Sequence, residues 1–189
     1  MAVLFISEDK LKKSTTINGN VDVELLRPYM KVAQDKYIWT RLGSKLYDKL
    51  QAEITAGTLT APYLELVDDY IQDALVHWTL FECIPFLGYK IMNKDIVRKN
   101  SENSQSASIE DINFLRNLVQ STAEWYTERL IDYLCDKNNL FPEYNTNTGS
   151  DLRPSRNNYN GGMNLGNYDR YQGAKITLDD FLDARMKNW

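Results

Sequence analysis

Histidine occurs once in this chain of 189 residues, at His77, and cysteine twice, at Cys83 and Cys135. Neither cysteine stands in a CxxC or other paired spacing, so a disulfide framework and a thiolate zinc site are both poorly supported. Both fall within helical patterns, where reduced and mostly buried thiols are expected. One histidine also excludes the two Glu-x-x-His motifs that a carboxylate-bridged di-iron bundle takes from separate helices. No apolar run reaches the ~18 residues that a membrane-spanning helix needs. The short apolar patch in "MAVLFISEDKLKK" lacks the length and the leading basic residues of a secretory signal, and no export is expected. Neither GxSxG nor GxxxxGK[ST] is present, and "GGMNLG" at 161–166 lacks the preceding strand and following helix that phosphate binding requires. Positive charge is not in excess either: 22 Lys and Arg stand against 26 Asp and Glu, a net charge of -4. Attraction to nucleic-acid phosphate is therefore not a property of the whole molecule.

What is present is helical periodicity, dominant from Asp22 to Asn139. Asp22 is an N-cap and Gly43 a stop for a helix whose apolar stripe runs through Val23, Leu26, Met30, Ala33, Tyr37 and Ile38 or Trp39. A second helix, with Leu46, Leu50 and Ile54 at steps of four, ends at Gly57. A third starts near Thr60 with Pro62 in its first turn. It is apolar on most sides through its middle, as a central helix is, and Pro85 should kink or end it. "YKIMNKDIVRKNSENSQSAS" loses the helical period, and a short hairpin-like excursion followed by a mobile loop is expected there. Ser108 and Asp111 form a capping-box pair opening the longest helix, whose core stripe reads Ile112, Leu115, Val119, Thr122, Tyr126, Leu130 and Tyr133. The fold class is therefore all-α: a small bundle of about four helices, over residues 1–142.

After Pro142 the composition turns to Asn, Gly, Tyr, Ser and Arg with scarcely any branched aliphatics until Ile176, so residues 143–175 are expected as an extended arm without a core of its own. Residues 176–189 restore an amphipathic helix signature, with Thr177 as N-cap and Leu178, Phe181, Leu182, Met186 and Trp189 on one face. An isolated helix this short is marginal in water. Order through assembly is expected instead, with Tyr159, Met163, Leu165, Tyr168, Tyr171, Ile176 and that terminal face meeting neighbouring subunits or a partner ring. The alternative is an arm folded back on its own bundle, sealing an apolar groove.

Chemistry is thinly represented. Asp73 and His77 share a helix face and can hold a metal or relay a proton, the basis of an alternative reading as a helical metal-binding or enzymatic bundle. His77 also sits in the apolar middle of its helix beside Trp78, which favours a core or interface histidine. Asp68 with Asp69, and Asp179 with Asp180, are adjacent and so diverge on a helix, whereas acid/base catalysis needs convergent groups. Glu65, Asp68, Asp69, Gln72 and Asp73 read as a solvated acidic face. Lys90, Lys94, Arg98 and Lys99 beside Tyr89 make a weak nucleic-acid signal that a solubilising hairpin edge explains as well. No catalytic residue, cofactor or metal is assigned.

The stretches "LFISEDKLKKSTTINGNVDVELLRPYMKVAQDKYIWTRLGSKLYDKL", "YIQDALVHWTLFECIPFLGYKI", "VRKNSENSQSAS" and "STAEWYTERLIDYLCD", in that order, resemble head-tail connector proteins, the neck or adaptor rings of tailed bacteriophages, in particular those of crAss-like phages. The likeness covers roughly Leu4 to Tyr144. It implies a virion protein of the neck, made in the host bacterial cytoplasm and repeated as a homo-oligomeric ring, usually twelvefold. Its implied partners are the portal protein and further neck or tail proteins. The resemblance further implies passage of the genome through the lumen, with no membrane partner. The resemblance brings no catalytic residues, and the arm departs from its compact part.

Overall fold

A computed structural model describes residues 3–17, 21–87, 89–91, 96–98, 108–146, 149 and 151–156. The chain enters through Phe5 and Ile6, both buried, and reaches α1 (Glu8–Ser14). Ser7 caps it, its Oγ accepting from the Lys10 amide at 3.1 Å. Acidic Glu8 and Asp9 in the first turn and basic Lys12 and Lys13 in the last suit the helix dipole. The apolar patch at the N-terminus is thus core. Two glutamines hold it: Gln34, itself fully buried, accepts from the Phe5 amide at 2.8 Å and donates to the Val3 carbonyl and the Tyr47 hydroxyl, while Gln51 accepts from the Val3 amide at 2.6 Å.

The expected N-cap Asp22 opens α2 (Val23–Ala33), accepting from the Glu24 amide at 3.0 Å. The helix continues through a π-helical segment, Gln34–Ile38, into α3 (Trp39–Ala56). Leu26, Met30, Ala33, Tyr37 and Ile38 are buried, whereas Trp39 is 39% exposed, so Ile38 is the one that joins the stripe. At Gly43 the backbone takes φ 73°, ψ 164°, which breaks α3 where the sequence placed a stop. Gly57, at φ 66°, ends it with a left-handed cap. Pro62 is not inside the first turn of the next helix but is the residue before it. The helix runs as α4 (Tyr63–Glu65), a π-helical segment Leu66–Ile71, and α5 (Gln72–Leu87). Pro85 does not end α5, which carries on to Leu87.

Buried residues lie on every side of α5: Ala74, Leu75, Val76, Trp78, Thr79, Phe81 and Cys83. It packs against α1, α2, the Gln34–Ile38 segment and α6 (Ile109–Asp136). Trp78 stacks on Tyr37 with ring centroids 3.7 Å apart and planes 6° from parallel, and its indole N–H donates to Thr127 Oγ1 at 2.8 Å. The central helix of the pattern is central in the structure. Between α5 and α6 lies the hairpin of β1 (Tyr89–Ile91) and β2 (Ile96–Arg98), antiparallel with Lys90 opposite Val97.

The core side of α6 follows the expected stripe in part: Leu130 is buried and Val119, Tyr126 and Tyr133 pack against the core. Its buried positions are Ala123, Thr127, Leu130, Ile131 and Leu134. Leu115 is 51% exposed and Thr122 is also exposed, because the face that meets α5 is set by small Ala123 and by the Trp78–Thr127 bond. A 3-10 turn at Asn138–Leu140 then leads into α7 (Pro142–Asn145), which buries Phe141 and Tyr144.

The described part of the expected arm lies on the helices, and Met1–Asn158 group as one unit. The Leu152 carbonyl accepts from the Ser44 amide at 3.1 Å, and the Ser155 amide donates to the Thr40 carbonyl at 2.8 Å. Pro154 fills the space beside Gly43, where an added Cβ would stand 2.8 Å from Pro154 Cδ. A polar, proline-bearing strap is held there by backbone hydrogen bonds and one glycine rather than by an apolar core.

Candidate interaction surface

Between Ile109 and Trp125, α6 carries the most exposed large apolar side chains of the described residues. A complete capping box begins it: Ser108 Oγ accepts from the Asp111 amide, and Asp111 Oδ2 accepts from the Ser108 amide, both at 3.0 Å. Hydrogen bonds from the Ser108 side chain and backbone hold the Asp111 carboxyl below its ordinary pKa, and a carboxylate there suits the helix N-terminus. From this start the spacing 114, 118, 121, 125 alternates steps of four and three, so Phe114, Leu118, Ser121 and Trp125 form one stripe along the helix. Phe114 is 65% exposed, Leu118 52% and Trp125 58%.

The stripe stands in the sequence as a second apolar row, out of phase with the core row, and the stronger core row masks it.

Beside the stripe, Leu115 and Val119 of α6 line a groove of about 490 Å³, completed by Ile17 before α2, Leu25 of α2, and Leu80 and Ile84 of α5. Asp22 is its one charged lining residue among those described, and that carboxylate is engaged as the cap of α2. Arg116, between the two lining residues of α6, lays its guanidinium over the Phe81 ring at 4.1 Å. An apolar floor with few charges is the composition of an interface centre.

His77 is placed differently. It is half-buried and stacks on Tyr126, with ring centroids 4.9 Å apart and planes 15° from parallel. Burial pushes its pKa down, with Asp73 acting in the opposite sense. Asp73 itself lies 3.5 Å from the Arg129 guanidinium, which also donates to the Asp69 carbonyl at 3.2 Å. Gln72 donates to Asp68 at 3.1 Å, so the Asp68 and Asp73 carboxylates of the acidic face both have partners within the fold. Among the described residues no three His, Cys, Asp or Glu side chains converge as metal ligands.

Two ionic clusters tie elements together. Glu82, on α5, accepts from Lys36 Nζ at 2.6 Å and from the Tyr37 hydroxyl at 2.7 Å. Burial raises its pKa, but these two donors outweigh that, and the carboxyl sits below its ordinary value. Lys49, Tyr63 and Glu143 form a closed triangle with edges of 2.7, 2.7 and 2.8 Å, joining α3, α4 and α7. Each member has its partners within the fold, which is the pattern of a structural lock.

The eleven residues expected to meet partners, from Tyr159 to Trp189, lie outside the described residues, as do Lys94 and Lys99. Cys83 is buried and Cys135 half-buried, both free. No helix among the described residues is long and apolar enough to cross a membrane.

Comparison with known families finds one match over residues 40–153, to a family of unknown function. Neither the curated proteins nor the solved structures contain a match to the chain.

Proposed function

We propose, from the premise that this chain belongs to the family of unknown function DUF6712, that it is a structural subunit of a ring in the neck of a tailed-phage virion. In this reading the ring, usually of twelve copies, docks to the portal protein on one side and receives a further neck or tail component on the other. The genome passes through its lumen. The reading rests on one observation above all: Phe114, Leu118 and Trp125 stand on a single stripe of α6, each more than half exposed. Large aromatic and aliphatic side chains aligned this way cost solvation in a free subunit and are the usual anchors of a protein interface. The resemblance of residues 4–144 to phage connector proteins supports the same reading, and the net charge of -4 suits a channel wall that should not grip DNA.

The test is the mass of the full chain, alone and mixed with the portal protein of the same virion, by native mass spectrometry. A ring-sized species is expected, and the double variant Leu118→Glu/Trp125→Glu should remain folded by circular dichroism yet stay at the mass of one chain. A wild-type chain that remains single in both samples sinks the proposal.

A further inference from the structure

The strap and the groove lie at opposite ends of the helical unit. Arg156, the last residue described, donates to Asn145 Oδ1 at 3.2 Å and lies over the Tyr144 ring, beside α7, which follows the C-terminal end of α6. The groove is walled by Leu115 and Val119 in the opposite half of α6. At ~1.5 Å per residue, residues 117 and 136 are separated by about 28 Å along the helix axis. The described chain thus ends beside one end of the bundle, and among the described residues nothing fills the apolar groove at the other.

Residues 176–189 supply an occupant of matching chemistry. Leu178, Phe181, Leu182 and Met186 recur at helical spacing, the pattern by which an amphipathic helix lays its apolar face into a groove. Nineteen residues lie between Arg156 and Ile176, and the twenty steps they make reach up to about 70 Å when extended, so a receptor on an adjacent copy is within range. A sticky segment and its receptor at different places on one chain make a head-to-tail contact, and such contacts close into rings when the rotation between copies allows it.

We infer that the groove between the residue preceding α2, α2, α5 and the first half of α6 receives the terminal segment 176–189 of a neighbouring copy. This deepens the ring reading and rests on it. Phe181 and Leu182 enter against Leu25, Leu80 and Leu115, and the 157–175 spacer bridges the subunits. Each arm is then captured at the effective concentration its tether sets, so modest burial per arm suffices in a closed ring.

Mixing full-length Leu25→Cys with full-length Phe181→Cys under mild oxidation, with portal present, tests this. Leu25 is 37% exposed, so the substitution leaves the core intact. The cross-linked heterodimer is expected at least tenfold above a Lys137→Cys with Phe181→Cys control, whose cysteine lies at the far end of α6. Ring-sized assemblies without enrichment overturn the groove assignment alone. A double variant, Leu25→Cys/Phe181→Cys, that closes within one chain shows the groove filled by its own arm and overturns the neighbour's role. Chains that stay single and form no cross-link overturn the assignment together with the ring.

Discussion

Thr127 satisfies two buried groups at once: its Oγ1 accepts from the Trp78 indole at 2.8 Å and donates to the Ala123 carbonyl at 2.7 Å. Thr127→Val keeps the shape but strands the indole N–H, a loss of about 1–3 kcal/mol. In a chain of this size each kcal/mol lowers Tm by about 2–4 °C. Thr127→Ser should recover most of that in a thermal melt. Glu82 gives a pH signature. Its pKa in the folded chain lies below the ordinary 4.5, so the unfolded chain takes up the proton first on acidification. The stabilisation is complete above about pH 4.5 and is lost as the pH falls through the lower folded value. Glu82→Gln should therefore flatten the acid limb of a stability-against-pH curve and leave its shape near neutrality unchanged. An unchanged acid limb would remove Glu82 from the account.

At the scale of elements, the strap over α3 depends on Gly43. Its φ of 73° with ψ of 164° is a backbone region nearly confined to glycine, costing other residues about 1–3 kcal/mol. Gly43→Ala adds the clash with Pro154. Destabilisation of at least that size is expected, with faster hydrogen exchange at the Ser44 and Ser155 amides, whose bonds fasten the strap. A chain ending after Tyr144 should lose the same protection at Ser44, whereas one ending after Arg156 should keep it.

These elements also show what the sequence made legible. The caps at Asp22 and Ser108, the glycine break and the all-round apolar α5 follow from local rules, and each is where those rules put it. The side of α6 that faces the core follows from such rules only in part. Val119, Tyr126, Leu130 and Tyr133 of the expected stripe pack on the core, but Ala123 and Thr127 carry little hydrophobic signal, and the exposed Leu115 and Thr122 stand in the stripe in their place. Buried Gln34, and Gln51 beside it, were invisible for a related reason: a polar side chain reads as surface until the backbone it serves, here at Val3 and Phe5, is placed beside it. The strap was hidden because its binding lies in amides and carbonyls, which every residue has. Of the candidate surface, the row at 114, 118 and 125 was present as spacing, and the groove, built from four separate stretches of chain, was not.

For the molecule as a whole, the core is continuous from Phe5 to Tyr144, which predicts cooperative opening. Cys83 lies fully buried within it, and burial pushes its thiol pKa up to about 12. Its labelling by a thiol reagent at pH 8 should therefore occur only through unfolding, with a rate that tracks global stability across the variants above. Cys135, half-buried, should react faster. Equal rates for both in native buffer would mean that the centre of the bundle opens locally.

The longest helix is built like a cantilever. Its outermost hold on the bundle is near Arg116, which rests on the Phe81 ring, while Ile109, at 62% exposure, overhangs that contact by about 10 Å along the axis at ~1.5 Å per residue. Over that overhang a tilt of 5° moves the tip by about 1 Å, and a stiff rod transmits it without repacking the core. In the proposed ring, copies built this way would take up small mismatches in their mutual spacing by leaning rather than by refolding.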